Sequence, residues 1–254
     1  MKLFPSMVVC LGLALSSAAA APDYWPIDLG HLGGTQTFAR GLNDSGQVVG
    51  WSVNSSGQTE AFVWSNGVIT GLGFLPGGTT SVANAVNNRG HVTGYSYVSG
   101  TSYHVFLYAS NSMFDIGTLG STNGLASAIN AQDELTGSSP TVLRPTVNSS
   151  FLWRTGQFIR ISSPAGVYSC DGYGISDSGQ VCGSTGIDAG GVRWWDYVWK
   201  DTTGNAVVDG DERQVLGSLG VIYTTGSESV ALAMNNIDQV VGWTSVTNAW
   251  YPQH

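Results

Sequence analysis

Short apolar runs alternate with polar, glycine-bearing breaks along almost the whole chain, a pattern that predicts many short strands joined by tight turns. One phrase recurs five times: Leu42-Asn-Asp-Ser-Gly-Gln-Val-Val-Gly50, Val86-Asn-Asn-Arg-Gly-His-Val-Thr-Gly94, Ile129-Asn-Ala-Gln-Asp-Glu-Leu-Thr-Gly137, Ile175-Ser-Asp-Ser-Gly-Gln-Val-Cys-Gly183 and Met234-Asn-Asn-Ile-Asp-Gln-Val-Val-Gly242. Its second position falls at residues 43, 87, 130, 176 and 235, in steps of 44, 43, 46 and 59. Periods of this size belong to propeller blades and similar arrays. The phrase itself reads as a hairpin. An apolar residue leads into Asn, Asp and Gly, which tolerate positive φ and cap turns, and a β-branched run follows.

Each copy holds three further strand signals. Before the turn, small residues alternate: Ala39 and Gly41, Ala83 and Ala85, Ala126 and Ala128, Gly172 and Gly174, Ala231 and Ala233. After it comes an aromatic-rich run, as in Glu60–Trp64, His104–Tyr108, Ser150–Trp153 and Tyr197–Trp199. A last run ends in Leu-Gly or Ile-Gly, as in Thr70–Gly73, Asp115–Gly120 and Val215–Gly220. Ala and Gly suit an innermost strand, where neighbouring sheets converge on an axis, while aromatic residues fill the space where sheets splay apart. The expectation is an all-β, five-bladed β-propeller of four-stranded repeats. The fifth copy, ending in the run Asn248–Tyr251, lacks its fourth strand, and Tyr24–Gly30 resembles a fourth strand without a unit. The last blade is therefore expected to be closed by the N-terminal strand, removing the exposed edges. A fragment of a longer array is the alternative.

These phrases resemble the HAF repeats of bacterial extracellular proteins, whose units carry an aromatic "aFlW" strand, a "dLGtLGG" segment and an "IN-x-x-GqvvG" hairpin. The matches are Ala61-Phe-Val-Trp64, Asp28-Leu-Gly-His-Leu-Gly-Gly34, Asp115-Ile-Gly-Thr-Leu-Gly120 and the five hairpin phrases. The fourth copy departs most, with Ser176 for Asn and Ser163-Pro-Ala-Gly166 where Leu-Gly-Gly is expected. The resemblance implies a bacterial, extracellular setting and transfers no catalytic residue.

The N-terminus agrees with that setting. Lys2, the apolar stretch Met7–Leu15 and the small residues Ser16–Ala21 form a signal-peptide pattern, so residues 1–21 are expected to be removed and 22–254 to be one repeat domain, secreted to the periplasm or the outside. No second apolar span follows, and the mature chain is expected to be a soluble monomer. Charged residues are 10% of the chain and the net charge is −8, with no basic run, which argues against nucleic acid. Two cysteines would remain after cleavage. An even pair in an exported chain points to a Cys170–Cys182 disulfide stapling a hairpin.

Candidate chemistry is sparse. The longest step contains an acidic segment with Asp201, Asn205, Asp209 and Asp211, oxygen ligands suited to calcium, although their spacing is not that of an EF-hand loop. No other cofactor is implied. The four histidines sit in no nucleophile or metal pattern, and His91 takes a hairpin position that reads as solvent-facing. At the variable positions of the first strands stand Arg40, Asn84, Ser127, Tyr173 and Leu232. Of these, Arg40, Asn84 and Tyr173 are candidates to contact carbohydrate or a surface protein, with blade packing as the competing role. Three functions remain open: an extracellular binding module, a glycan hydrolase with paired carboxylates in a channel, and a structural surface array without ligand.

Overall fold

The computed structural model describes residues 25–161, 169–186, 194–202, 213–216 and 229–244, and every regular element among them is a β-strand. The first sheet runs β1 (Gly33–Leu42), β2 (Val48–Asn54), β3 (Thr59–Ser65), β4 (Val68–Gly73), and the second β5 (Ser81–Val86), β6 (Val92–Ser99), β7 (Ser102–Ala109), β8 (Ser112–Gly117). The third comprises β9 (Leu125–Ile129), β10 (Leu135–Thr141), β11 (Arg144–Arg154) and β12 (Gln157–Ile161). The fourth holds β13 (Cys170–Ile175), β14 (Val181–Gly186), β15 (Trp194–Trp199) and β16 (Arg213–Val215), and the fifth β17 (Ser229–Met234) and β18 (Val240–Thr244). Each is an antiparallel meander in chain order, and none closes on itself.

Every recurrent phrase is the turn between the first two strands of a sheet. The turn requires positive φ at its fourth residue, supplied by Gly46, Gly90 and Gly179, and by Asp133 and Asp238 in the other two copies. The register then slips at the same place in every first strand, between Ala39 and Gly41, Ala83 and Ala85, Ala126 and Ala128, Gly172 and Gly174, Ala231 and Ala233. The skipped residues, Arg40, Asn84, Ser127, Tyr173 and Leu232, are β-bulges, which leave the ladder and re-aim their side chains. The bulge also explains the Gly that closes each phrase. A Cβ on Gly50 would lie 1.9 Å from the Phe38 carbonyl oxygen, and one on Gly94 2.0 Å from that of Val82.

The apolar core lies between sheets rather than within them. Val49, Ala61 and Leu72 of the first sheet pack with Ala83, Val86, Val92 and Phe106 of the second. Val105 of the second packs with Ala126, Leu135 and Phe151 of the third, and Leu152, Ile159 and Ile161 of the third with Cys170, Ile175 and Val181 of the fourth. One geometry repeats throughout. β5 lies on β1, β2 and β3, β9 on β5, β6 and β7, β13 on β9, β10 and β11, and β17 on β13, β14 and β15. Small residues on the first strands are what permit this approach: a Cβ on Gly41 would sit 3.0 Å from the Asn84 carbonyl oxygen.

A hydrogen-bond relay joins the turns. Asn43 Nδ2 donates to the Asn87 carbonyl oxygen at 2.9 Å, Asn87 Nδ2 to that of Asn130 at 2.9 Å, and Asn130 Nδ2 to that of Ser176 at 3.0 Å. Each Asn also donates within or beside its own turn, to Gln47, Asp133 and Glu134 respectively, while its Oδ1 accepts two turn amides. These side chains are buried and fully partnered, as buried amides must be. His91 is not solvent-facing. It stands where Gln accepts in the first turn, and its ring bonds Asp133 at 2.8 Å, which draws that carboxylate onto Asn87.

The N-terminal strand differs from expectation. Residues 25–32 form no strand, and Trp25 and Ile27 are 82% and 70% exposed. Their expected partner, Asn248–Tyr251, lies outside the described residues. The connection that follows does have the form of the others. Asp28 Oδ1 accepts the Gly30 amide as Asp115 Oδ1 accepts that of Gly117, and the Leu32 amide donates to Ser52 Oγ as that of Leu75 does to Ser96 Oγ.

Two substitutions check this account. Asn87→Ala should cost about 2–3 kcal/mol, because it strands buried turn groups in two sheets. Gly94→Ala should cost about 3 kcal/mol through overpacking against the bulge. Chemical denaturation of both variants measures the losses, and a loss near zero for either would contradict the corresponding contact.

Candidate functional site

The bulge residues separate into two environments. Arg40 Nη1 donates to Asn84 Oδ1 at 3.0 Å, and Asn84 Nδ2 donates to the Ala126 carbonyl oxygen at 2.7 Å. These two candidates therefore meet and bridge the first three sheets, which is the packing role. Tyr173 is not part of that bridge. It lines a cleft of about 360 Å³ between the fourth and fifth sheets, together with Asp171, Ser184, Trp194, Val230 and Trp243.

The register explains how this cleft is walled. Asp171 pairs with Ser184 across β13 and β14, Val230 with Trp243 across β17 and β18, and Trp194 opens β15 opposite Gly186. Three aromatic side chains thus flank one carboxylate and one hydroxyl. Asp171 Oδ1 accepts a hydrogen bond from Asn148 Nδ2 at 2.9 Å, which fixes the carboxylate. Burial raises the Tyr173 phenol above its ordinary value of 10, opposed by its hydrogen bond with Ser184 and reinforced by the negative charge of Asp171. It remains a protonated hydroxyl at neutral pH. Trp194 and Trp243 were not singled out from the sequence. Trp243 follows the closing Gly of its phrase, as Trp51 and Tyr95 do in theirs, and that recurrence of an aromatic residue was the available signal.

A second concavity, of about 210 Å³, is lined by turns from all five sheets, among them Asp44, Asn88, Ala131, Asp177 and Asn236. Its carboxylates are tied to neighbouring turns: Asn88 Nδ2 donates to Asp44 Oδ2, and Asn236 Nδ2 to Asp177 Oδ2, both at 2.6 Å. Asp177 Oδ1 additionally accepts the Ala131 amide at 2.9 Å. These groups hold turns together.

Of the calcium candidates, Asp201 is buried with its carboxylate 3.7 Å from Arg154 Nη1, and Arg154 also pairs with Glu134. A guanidinium thus faces the one ligand candidate that is described. Asn205, Asp209 and Asp211 lie outside the described residues. Among the described residues no group of three or more His, Cys, Asp or Glu is placed to hold a metal, and no helix is long and apolar enough to cross a membrane.

The expected disulfide is not formed. Cys170 pairs across the ladder with Thr185, and Cys182 with Gly174, which places the two sulfurs toward opposite ends of β13 and β14. At about 3.3 Å per residue this offset exceeds the roughly 7 Å Cα separation a disulfide spans. The turn the cysteines flank was legible in the sequence, but the register that separates them was not. Both are buried, Cys170 within the core shared by the third and fourth sheets.

No family model matches this chain, and neither does any curated protein.

Burial pushes the Cys182 thiol up from 9.0 to about 11. A raised folded-state value means that stability is fully present below the ordinary thiol value and is lost as pH climbs through about 9 toward 11. Cys182→Ser should flatten the stability profile over that window, measured by denaturant melts. Thiol reagents should modify both cysteines in the unfolded protein and neither in the native one. Native protein without titratable thiols after denaturation would show that they are joined.

Proposed function

We propose that the chain is an exported five-bladed propeller that acts as an extracellular carbohydrate-binding module, with its ligand held in the cleft of Tyr173, Trp194 and Trp243. The cleft carries this reading. A pyranose presents C–H faces that lie on aromatic rings and hydroxyls that need fixed acceptors and donors, and here three aromatic side chains surround Asp171 and Ser184. Hydrolysis by the two-carboxylate route needs a pair. Among the described lining residues Asp171 is the single carboxylate, which favours binding over catalysis.

Closure of the ring is supported by what the first and fifth sheets leave unpaired. Asn235 Nδ2 donates to Gln239 within its turn, as Asn43 does to Gln47, but among the described residues it has no second acceptor. Among the described residues the Asn43 carbonyl accepts only its own turn amide, whereas that of Asn87 also receives the Asn43 side chain. Asp44 Oδ1 is unused among the described residues, where Asp177 Oδ1 takes an amide. The apolar faces match as well. Val241 is 63% exposed, although its counterparts Val49, Thr93, Thr136 and Cys182 are fully buried. Phe38 and Leu42 are exposed on the first sheet. Docking the fifth sheet on the first uses all of these groups, which suits a monomer. Export and the resemblance to HAF repeats belong to the same reading.

The test is a glycan array followed by titration of the best ligand. Wild type should bind, Trp243→Ala and Tyr173→Ala should each weaken binding by roughly tenfold or more, and Arg40→Ala should lower stability without lowering affinity. Unchanged affinity in both aromatic variants, or no ligand at all, would refute the assignment.

A further inference from the structure

We propose that the cleft is selective for a cationic sugar, an amino sugar with a free protonated amine. The inference rests on the carbohydrate reading of this cleft and adds the charge of the ligand. Asp171 is the reason. Its Oδ1 is taken by Asn148, no described group hydrogen-bonds its Oδ2, and no Lys, Arg or His forms an ion pair with it among the described residues. Four carboxylates of the repeat turns are, by contrast, bound to neighbours: Asp133 to Arg89 and His91, Glu134 to Arg154, Asp44 and Asp177 to asparagine amides. A carboxylate in a concave site without a counter-charge is completed by a cation from outside.

The walls favour the same charge. The negative faces of tryptophan and tyrosine rings attract an ammonium, most strongly when it is partly desolvated. Tyr173 adds a neutral hydroxyl, since its burial keeps the phenol protonated. A ring of three aromatic residues with one carboxylate therefore holds an ammonium better than an acetamido group or a uronic acid, which Asp171 repels. The net charge of −8 draws cations toward the surface.

The probes are oligosaccharides of glucosamine and of N-acetylglucosamine, titrated into the intact protein with tryptophan fluorescence as the readout. At a pH where the amine is protonated, the free-amine ligand should bind roughly tenfold tighter, added salt should weaken it, and raising the pH above the amine's ionisation should abolish the preference. Asp171→Asn, which keeps a hydrogen-bonding side chain beside Asn148, should bind the two ligands equally with an unchanged melting temperature. Should that variant misfold, the pH and salt dependence of the wild type decides alone. Equal binding of the two ligands by wild type, or tighter binding of the acetylated one, overturns the cationic selectivity and leaves carbohydrate binding standing. Binding of no glycan of any charge overturns both.

Discussion

A buried asparagine side chain with two donor hydrogens organises this molecule. One hydrogen stays with the turn or its immediate neighbour, and the other reaches the carbonyl of the next turn, from Asn43 to Asn87, from Asn87 to Asn130 and from Asn130 to Ser176. The acceptor oxygen meanwhile holds two amides of its own turn. Local turn geometry and sheet-to-sheet spacing are thus set by one residue, and neither can relax without stranding a buried polar group. The fourth unit shows the limit of the device. Ser176 caps its turn and shares a hydrogen bond with the Ser178 hydroxyl, and the link to the fifth turn passes to Asp177 and Asn236 instead.

The bulge and the small residues follow from this spacing. Turns that bond to one another bring the first strands close, so Ala or Gly must face the neighbour, and the residue between them is pushed out of the ladder. That residue differs from copy to copy. Arg40 and Asn84 use it to bridge sheets, while Tyr173 uses it to line a cleft. Val230 of the fifth sheet lines that cleft and a second concavity with Asp196 and Trp243.

Much of the fold was legible in the sequence because each unit repeats its chemistry. The turn phrase, the alternating small residues and the aromatic run locate the first three strands of the first four units, since turn residues and period-2 patterns act locally, whereas β12 carries no Leu-Gly signal and was not read. What escaped depends on register or on distant partners. The Cys170–Cys182 bond failed because a bulge and a four-residue turn set which residues face each other, and spacing alone does not reveal that. Tyr173 could be named from its variability, but Trp194 and Trp243 come to it from two different sheets, and only packing shows that they share a cleft with Asp171. His91 was misplaced for a similar reason, as its partner Asp133 belongs to the next unit.

The central claim is that the relay runs full circle, with the fifth turn docking on the first as the other turns dock on their neighbours. Cysteines at positions 44 and 236, introduced as Asp44→Cys and Asn236→Cys, test it directly. The pairs Asp44→Cys with Asn88→Cys and Asp177→Cys with Asn236→Cys serve as internal standards, because those side chains already touch. Under oxidation the closed ring predicts an intramolecular cross-link in the monomer, formed as readily as in the two standards. Cross-linking in the standards with none between positions 44 and 236, or only between separate molecules, would contradict closure.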